Sequence, residues 1–476
     1  MSNPDVVISL VDNASAIIPS LTVDTHLKIG ACSLGTANAI YSFTREEDVR
    51  AELGAGPLVE AGIDSLKVAG GPVFLQKVNA SVAGASGSVT QSGGGPLLTV
   101  TGASVDDFQG IVHITKGGAV GTAEFQYSLD GGDTWSATIV TAASYPVPGS
   151  GVTLGFPAGT YVLGETYAWT SSAPYYVADD LNAAFAALWT DPREWLFAHV
   201  IGKAGSAADS ASMVAVVQSQ LDNAVATKYR YTEAIVEMAD VSDGDLGAAF
   251  AAVVAPRVMA AAGYCELLSG VSGRYYKRPA AWPVASRAAK VARAPRVGIA
   301  THLGRTRPDG RGGALQHIRP VDGLYRDEER TPGLDALRFT TLRTIVGKAG
   351  YFVTRPRMMA ASGSDFGFWH DRLVIDKACR IMRAKLLDYL NDDVETKSNG
   401  TIDELAARRI EGDIYAALRD LMVAAENVVT ATATIDRANV MSTTNKLRGD
   451  VRLRKRSYLE NIDFSIGFEV PIQSAA

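Results

Sequence analysis

Apolar and polar positions change rhythm several times along the chain, and the changes divide it. Val6, Ile8 and Leu10 alternate before Pro19 interrupts a second short apolar run, which predicts a strand-forming arm over residues 1–24. KIGACSLG then reads as a buried strand. Thr44 as N-cap with Glu47 three residues on predicts a helix start, and GGPVFLQKV predicts a strand lying beside the first. Residues 84–174 follow a different rule. A Gly/Ser-rich stretch, AGASGSVTQSGGGP, leads into LLTVTG, GIVHITKGG, AEFQYSLDGGDTW, SATIVTAASYPV and TYVLGETYAWTSS, short alternating runs divided by turn residues. No helical period survives there, so a sandwich or small barrel is expected. The α/β texture of 25–83 resumes at 175–335, which marks the β-module as an insertion, since loop closure costs rise only slowly with length.

Beyond it, WLFAHVIG, SASMVAVVQSQLDNAVATK and YTEAIVEMA read as strand, helix and strand, and DLGAAFAAVVAPRVMAAAG as one long helix. Residues 274–335 are basic and irregular, with 13 Lys/Arg against 5 Asp/Glu between Arg274 and Arg330. Residues 336–456 return to α/β. Leu342 to Val353 is strand-like, Phe366 to Val394 forms a long amphipathic helix, and a second helix opens with Thr401 and Glu404 in capping-box spacing. NVVTATATID and YLENIDFSIGFEVPI predict two closing strands. The second alternates at Ile462, Phe464, Ile466, Phe468 and Val470, within a C-terminal arm over 457–476. The fold class expected is mixed α/β and multi-domain, with an inserted all-β module and two strand arms.

Composition narrows function by exclusion. A chain of 476 residues with 47% hydrophobic and 20% charged residues has room for several cores. A net charge of −6 argues against general nucleic-acid binding, which needs a basic surplus. Cys32, Cys265 and Cys379 are distant and odd in number, which suits a reducing compartment. The start carries no signal-peptide pattern and no apolar run reaches the roughly 18 residues of a membrane span, so assembly in the cytoplasm without a membrane partner is expected. VIGKAGS and IVGKAGY fall short of a phosphate-binding loop. The six histidines lack ligand spacing, so no metal, cofactor or catalytic residue is expected. Ser128 to Trp135, SLDGGDTW, fits the S-x-D-x-G-x-T-W hairpin of sialidase-like propellers. It occurs once where a propeller repeats it, so it reads as a stabilised turn. In the basic stretch, Pro279, Pro283, Pro295, Pro308 and Pro320 break any recognition helix, which favours a protein surface as partner.

The string GKAGYFVTRPRMMAASGSDFGFWHDRLVIDKACRIMRAKLLDYL, from Gly347, resembles the contractile tail-sheath family of bacteriophages and related injection systems. In that family a glycine-flanked strand ends in an arginine-bearing segment, here Thr354-Arg355-Pro356-Arg357, and a long helix follows. The helix of the family opens with an arginine pair. Here Val374 to Cys379 takes that place, with Arg372, Lys377, Arg380 and Arg383 close by. The match covers about two-thirds of the chain and leaves out 84–174, which in this family is a variable outward-facing insertion. The resemblance implies a virion structural protein, not an enzyme, whose hexameric rings stack around a tail tube and contract. Its partners would be copies of itself, the tube protein, and baseplate and terminator proteins. It implies that the arms, through Val6, Ile8, Leu10, Ile462, Phe464, Ile466, Phe468 and Val470, complete a sheet on neighbouring subunits. Arg372, Lys377, Arg380, Arg383 and Lys385 are the candidate tube-facing residues. A type VI secretion sheath, usually built of two chains, another tail, baseplate or capsid component, and an Asp-box glycan hydrolase are the alternatives.

Overall fold

The structure, a computed structural model, describes residues 24–202, 204–271, 273–294, 296–315, 318–319 and 333–467. The predicted strand residues Val6, Ile8, Leu10, Phe468 and Val470 lie outside them.

A six-stranded sheet forms the centre. Its order is Val258–Ala261, Glu233–Glu237, Phe197–Val200, Leu27–Gly30, Val73–Lys77 and Ile40–Phe43. The first five strands run parallel and the last is antiparallel. Four of the parallel strands are buried along their whole length, which explains why they read as largely apolar runs instead of strictly alternating ones. The helices are α1 (Glu46–Leu53), α2 (Pro57–Ala69), α3 (Ala178–Leu188), α4 (Ala207–Lys228), α5 (Asp243–Phe250) and α6 (Ala281–Arg293). One buried cluster joins α1, α2 and α6 to one face of the sheet, and a second joins α3, α4 and α5 to the other.

Several sequence expectations are corrected here. The helix expected over residues 245–263 ends at Phe250, and Val258–Ala261 is instead an edge strand of the central sheet. Pro256 bars a helix from running through into Val258–Ala261, because it lacks an amide proton and crowds the preceding turn. The first third of the basic stretch is not irregular, whereas residues 301–315 form no helix or strand. That first third holds the strand Tyr275–Pro279 and the almost wholly buried α6. Its cations are used inside the fold: Arg287 donates to the Gly313 carbonyl at 2.7 Å, and Arg293 donates to the carbonyl of Ala69, the last residue of α2, at 3.2 Å. Helix α1 starts after Arg45 with no side-chain cap, so Thr44 is not its N-cap.

Between the strands Val73–Lys77 and Phe197–Val200, every regular element from Ala85 to Ser172 is a strand. Ile139–Val140, Glu124–Ser128, Gln109–Lys116, Thr166–Ser172 and Ala85–Ser86 form one sheet. Ser144–Pro146, Thr153–Gly155 and Thr99–Thr101 form another. Val112, Phe125, Leu154, Tyr167 and Trp169 belong to a core separate from those of the central sheet. The entry and exit strands touch: Ser86 pairs with Ser171, and Val82 bridges Tyr175. Gly84 sits at this root, where an added Cβ would lie 1.9 Å from the Ser104 carbonyl oxygen. A buried bidentate ion pair from Arg278 to Asp106, at 2.8 Å for both bonds, fastens the root to the body.

The SLDGGDTW hairpin is a self-contained bonding unit. The Ser128 hydroxyl donates to Asp130 at 2.6 Å and accepts from the Gly132 amide at 2.8 Å, while Asp130 accepts from the Thr134 amide at 2.9 Å. Gly131 and Gly132 take the positive φ that this turn requires. Trp135 is 42% exposed and meets His113 edge-on instead of packing into the sheet.

Candidate functional site

The C-terminal part begins with the hairpin Leu342–Ile345 and Lys348–Val353, so the strand-like stretch turns back on itself at Val346-Gly347. Helix α7 (Trp369–Leu387) follows, then α8 (Glu404–Leu418). Asp403 caps α8 by accepting from the Leu405 amide at 2.8 Å, while Thr401 bonds to Asn399 instead of forming the expected capping box. Val428–Ile435 and Gly449–Lys455 then pair as an antiparallel two-stranded sheet, with the first strand against α8.

This places the last strand differently from the sequence reading. The basic stretch DVRLRK, not YLENIDFSIG, pairs with Val428–Ile435. Residues 458–467 form no strand, and Ile462, Phe464 and Ile466 are 64%, 91% and 101% exposed. Their alternation pairs with no strand of this chain among the described residues. Leu453 and Val451 instead give the preceding strand its half-buried face.

Before that exposed run the chain is held. Tyr458 donates its hydroxyl to the Ala300 carbonyl at 2.5 Å, and its ring lies 4.2 Å from His370 and 5.9 Å from His302 between centroids. Lys455 pairs with Asp371 at 2.7 Å, and Arg456 donates to the Glu426 carbonyl at 3.2 Å. Glu460 lies 3.8 Å from Arg355 and 3.9 Å from His302. Burial holds His302 down to about 4 and His370 well below its ordinary range, so both rings facing Tyr458 are neutral at pH 7. The tail borders a cleft of about 1170 Å³ whose lining includes Arg305, Arg307, Arg343 and Arg355.

The basic positions of α7 do not form one solvent face. Arg372 is buried and reaches Asp376 at 3.1 Å, and Asp376 also takes a bond of 2.6 Å from Arg257 on the central sheet's flank. Arg380 donates to the Tyr231 carbonyl at 2.6 Å. Lys377, half-buried, donates to Asn427 at 2.7 Å, and burial pushes it down to about 8. Arg383 stacks over Tyr229 at 3.5 Å, which leaves Lys385 as the exposed member, 3.6 Å from Asp388. The expectation of a continuous basic surface on Arg372, Lys377, Arg380, Arg383 and Lys385 is therefore corrected, because three of the five point into the molecule. Beside them Glu233 is fully buried with neither oxygen hydrogen-bonded, and burial, with Asp376 next, holds it well above the usual carboxylate range. Sequence reasoning missed Tyr458, Arg257 and Asp376, since nothing local marks a long-range pair or a tail contact.

Among the described residues no group of three or more His, Cys, Asp or Glu is placed to hold a metal ion. No described helix is long and apolar enough to cross a membrane. Family models for the N-terminal and C-terminal domains of DUF2586 match residues 3–357 and 365–473. The chain belongs to the DUF2586 family. No curated protein matches this DUF2586 member in sequence. Its fold is that of contractile-sheath proteins. The helical sheath of the anti-feeding prophage in its contracted state is 12% identical with a TM-score of 0.55, over 98% of this chain and 99% of that one. The contracted sheath of an extracellular contractile injection system, PVC, is 10% identical with a TM-score of 0.53, over 99% and 98%. A chain in the six-fold symmetrised baseplate of the anti-feeding prophage is 12% identical with a TM-score of 0.52, over 99% and 100%. The resemblance read from the Gly347 segment is met at the level of the fold.

Proposed function

We propose that this DUF2586 protein is the subunit of a contractile sheath, polymerising as stacked hexameric rings around a tube and shortening to drive that tube through an envelope. The observation that carries this reading is the run Ile462, Phe464 and Ile466, exposed on a tail that leaves an open two-stranded sheet. Alternating apolar residues without a sheet are unstable in water, and an open sheet edge offers backbone groups without partners. Pairing the tail of one copy with the edge of another satisfies both. Val6, Ile8, Leu10, Phe468 and Val470 would extend the same exchange. The neighbours in fold, named for sheath and baseplate assemblies, support self-association and contact with a baseplate. A tube protein and a terminator would complete the particle, a phage virion tail or a related injection device assembled in the producing cell. The residues 84–174 would form an outward-facing insertion, supported by their separate core, and Lys385 with Arg383 remain the tube-facing candidates.

Deleting Ile462 to Ala476 tests the reading. The truncated chain is expected to stay folded and monomeric, while the full chain forms hollow cylinders or six-membered rings in negative-stain micrographs. A truncated chain that still assembles would sink strand donation, and a full chain monomeric at high concentration would sink the sheath role.

A further inference from the structure

We infer that Tyr458 is the fixed root of the C-terminal arm, so that the segment free to reach another molecule starts at Asn461 and not at the end of the last strand. The inference rests on the reading of the arm as a donated segment, but its evidence lies within one chain. From Arg456 to Glu460 the backbone has left the sheet, yet three of these five side chains, and that of Lys455 at the end of the strand, are tied to the body. Lys455 is held by Asp371, Arg456 by the Glu426 carbonyl, Tyr458 by the Ala300 carbonyl and two histidine rings, and Glu460 by Arg355 and His302. Tyr458 is the strongest of these contacts. It is the one that combines burial of an aromatic ring with a short hydrogen bond, whereas the ion pairs of Lys455 and Glu460 are solvent-accessible on one side and worth little individually. Its two aromatic neighbours come from separate parts of the fold, His302 after α6 and His370 in the first turn of α7. The tail therefore reads whether those parts are packed together. Immediately beyond Glu460 the exposure changes completely, and every residue from Asn461 to Gly467 is exposed.

A root at this position sets the reach. Extended backbone advances about 3.3 Å per residue, so tethering at Tyr458 instead of Lys455 withholds roughly 10 Å from the arm. Sixteen residues from Asn461 to Ala476 could span at most about 53 Å. The register at which Ile462, Phe464 and Ile466 meet a neighbour's edge would then follow from this one anchor, and a slip by one residue would turn their apolar face outward.

Limited proteolysis of the unassembled full-length chain, read by mass spectrometry, tests the anchor. Chymotrypsin is expected to cut after Phe464 well before trypsin cuts the Arg456–Ser457 bond. Tyr458→Ala is expected to raise the rate of that tryptic cut by about tenfold or more, with no change in cleavage elsewhere in the body. Tyr458→Phe keeps the ring between the histidines and is expected to stay closer to the wild type than to Tyr458→Ala. Equal early cleavage at Arg456 and Phe464 in the wild type overturns the anchor, and so does a Tyr458→Ala chain cut no faster at Arg456. If Tyr458→Ala is cleaved throughout its body, the wild-type pattern and Tyr458→Phe decide the matter without that variant: slow cutting at Arg456 in both supports the anchor, and early cutting there in the wild type overturns it. These outcomes are independent of assembly. If the anchor holds while the chain lacking residues 462–476 still polymerises, the root stands and the donation reading falls.

Discussion

Asp376 is where α7 is fastened to the central sheet, and its surroundings fix the sign of two substitutions. It faces Arg257 and Arg372, both buried. Asp376→Asn would leave two buried cations with only the exposed Asp222, 3.8 Å from Arg257, as an ion-pair partner, and a loss of about 3–5 kcal/mol in guanidinium unfolding is expected. Glu233 lies in the same cluster but behaves oppositely. Burial raises its folded pKa above the unfolded value, so the folded chain holds a proton there to higher pH than the unfolded chain does. A group with a raised folded pKa favours folding fully only below its unfolded value, and that contribution is lost as pH rises. Glu233→Gln removes the titration while keeping the shape. It is expected to stabilise the protein at pH 7 relative to wild type, with an advantage that shrinks steadily as pH falls toward 4.5. Unfolding midpoints of the two chains between pH 4 and 8 check it, and an advantage independent of pH would mean that burial does not raise the pKa of Glu233.

At the scale of elements, the same burial explains which parts of the fold are legible in the sequence. The strands at 27–30, 73–77, 197–200 and 233–237 stand out because both faces are covered, so their runs are largely apolar. Val258–Ala261 is equally buried but follows α5 with only Pro256 as punctuation, and its Val-Met-Ala-Ala text suits a helix as well as a strand. Helix α6 is hidden by its arginines, which bond to carbonyls of distant loops that no local pattern reveals. The basic side of α7 misleads for the same reason, since charge along a helix does not disclose whether a buried acid waits opposite. Its residues separate experimentally. Lys385→Glu is expected to change unfolding free energy within about 0.5 kcal/mol, as its pairing with Asp388 is a surface one. Arg380→Glu is expected to cost at least about 3 kcal/mol, because it places another acid beside Asp376 and Glu233 and removes the bond to Tyr231. If Lys385 contacts a tube, its reversal should also weaken co-assembly with tube protein while leaving the isolated subunit intact.

For the molecule as a whole, the all-strand stretch poses the question of whether the body needs it. Its ends meet in antiparallel register at Ser86 and Ser171, so the Cα atoms there stand about 5 Å apart. Replacing residues 87–170 by Asn-Gly would close the two strands with a two-residue hairpin turn, the geometry that flanking twist favours. The separate core leaves with the excised segment, so no cavity opens in the clusters around the central sheet. The costliest tie to lose is buried and charged. Arg278 would lose Asp106 and remain buried over Trp282 at 4.9 Å, with Glu60 as a nearby acid. A cation stripped of its bidentate partner costs about 3–5 kcal/mol, whereas an apolar side chain of similar length at that site is close to neutral. The excised chain is therefore expected to unfold at clearly lower denaturant than the excised chain carrying Arg278→Met, and the latter to match the full chain's central-sheet transition followed by tryptophan fluorescence. Ring or cylinder formation by the excised Arg278→Met chain would place the module outside the assembly contacts. A folded but monomeric product would mean that the β-module itself makes the subunit interface, and a product that fails to fold would mean that the body's core depends on it.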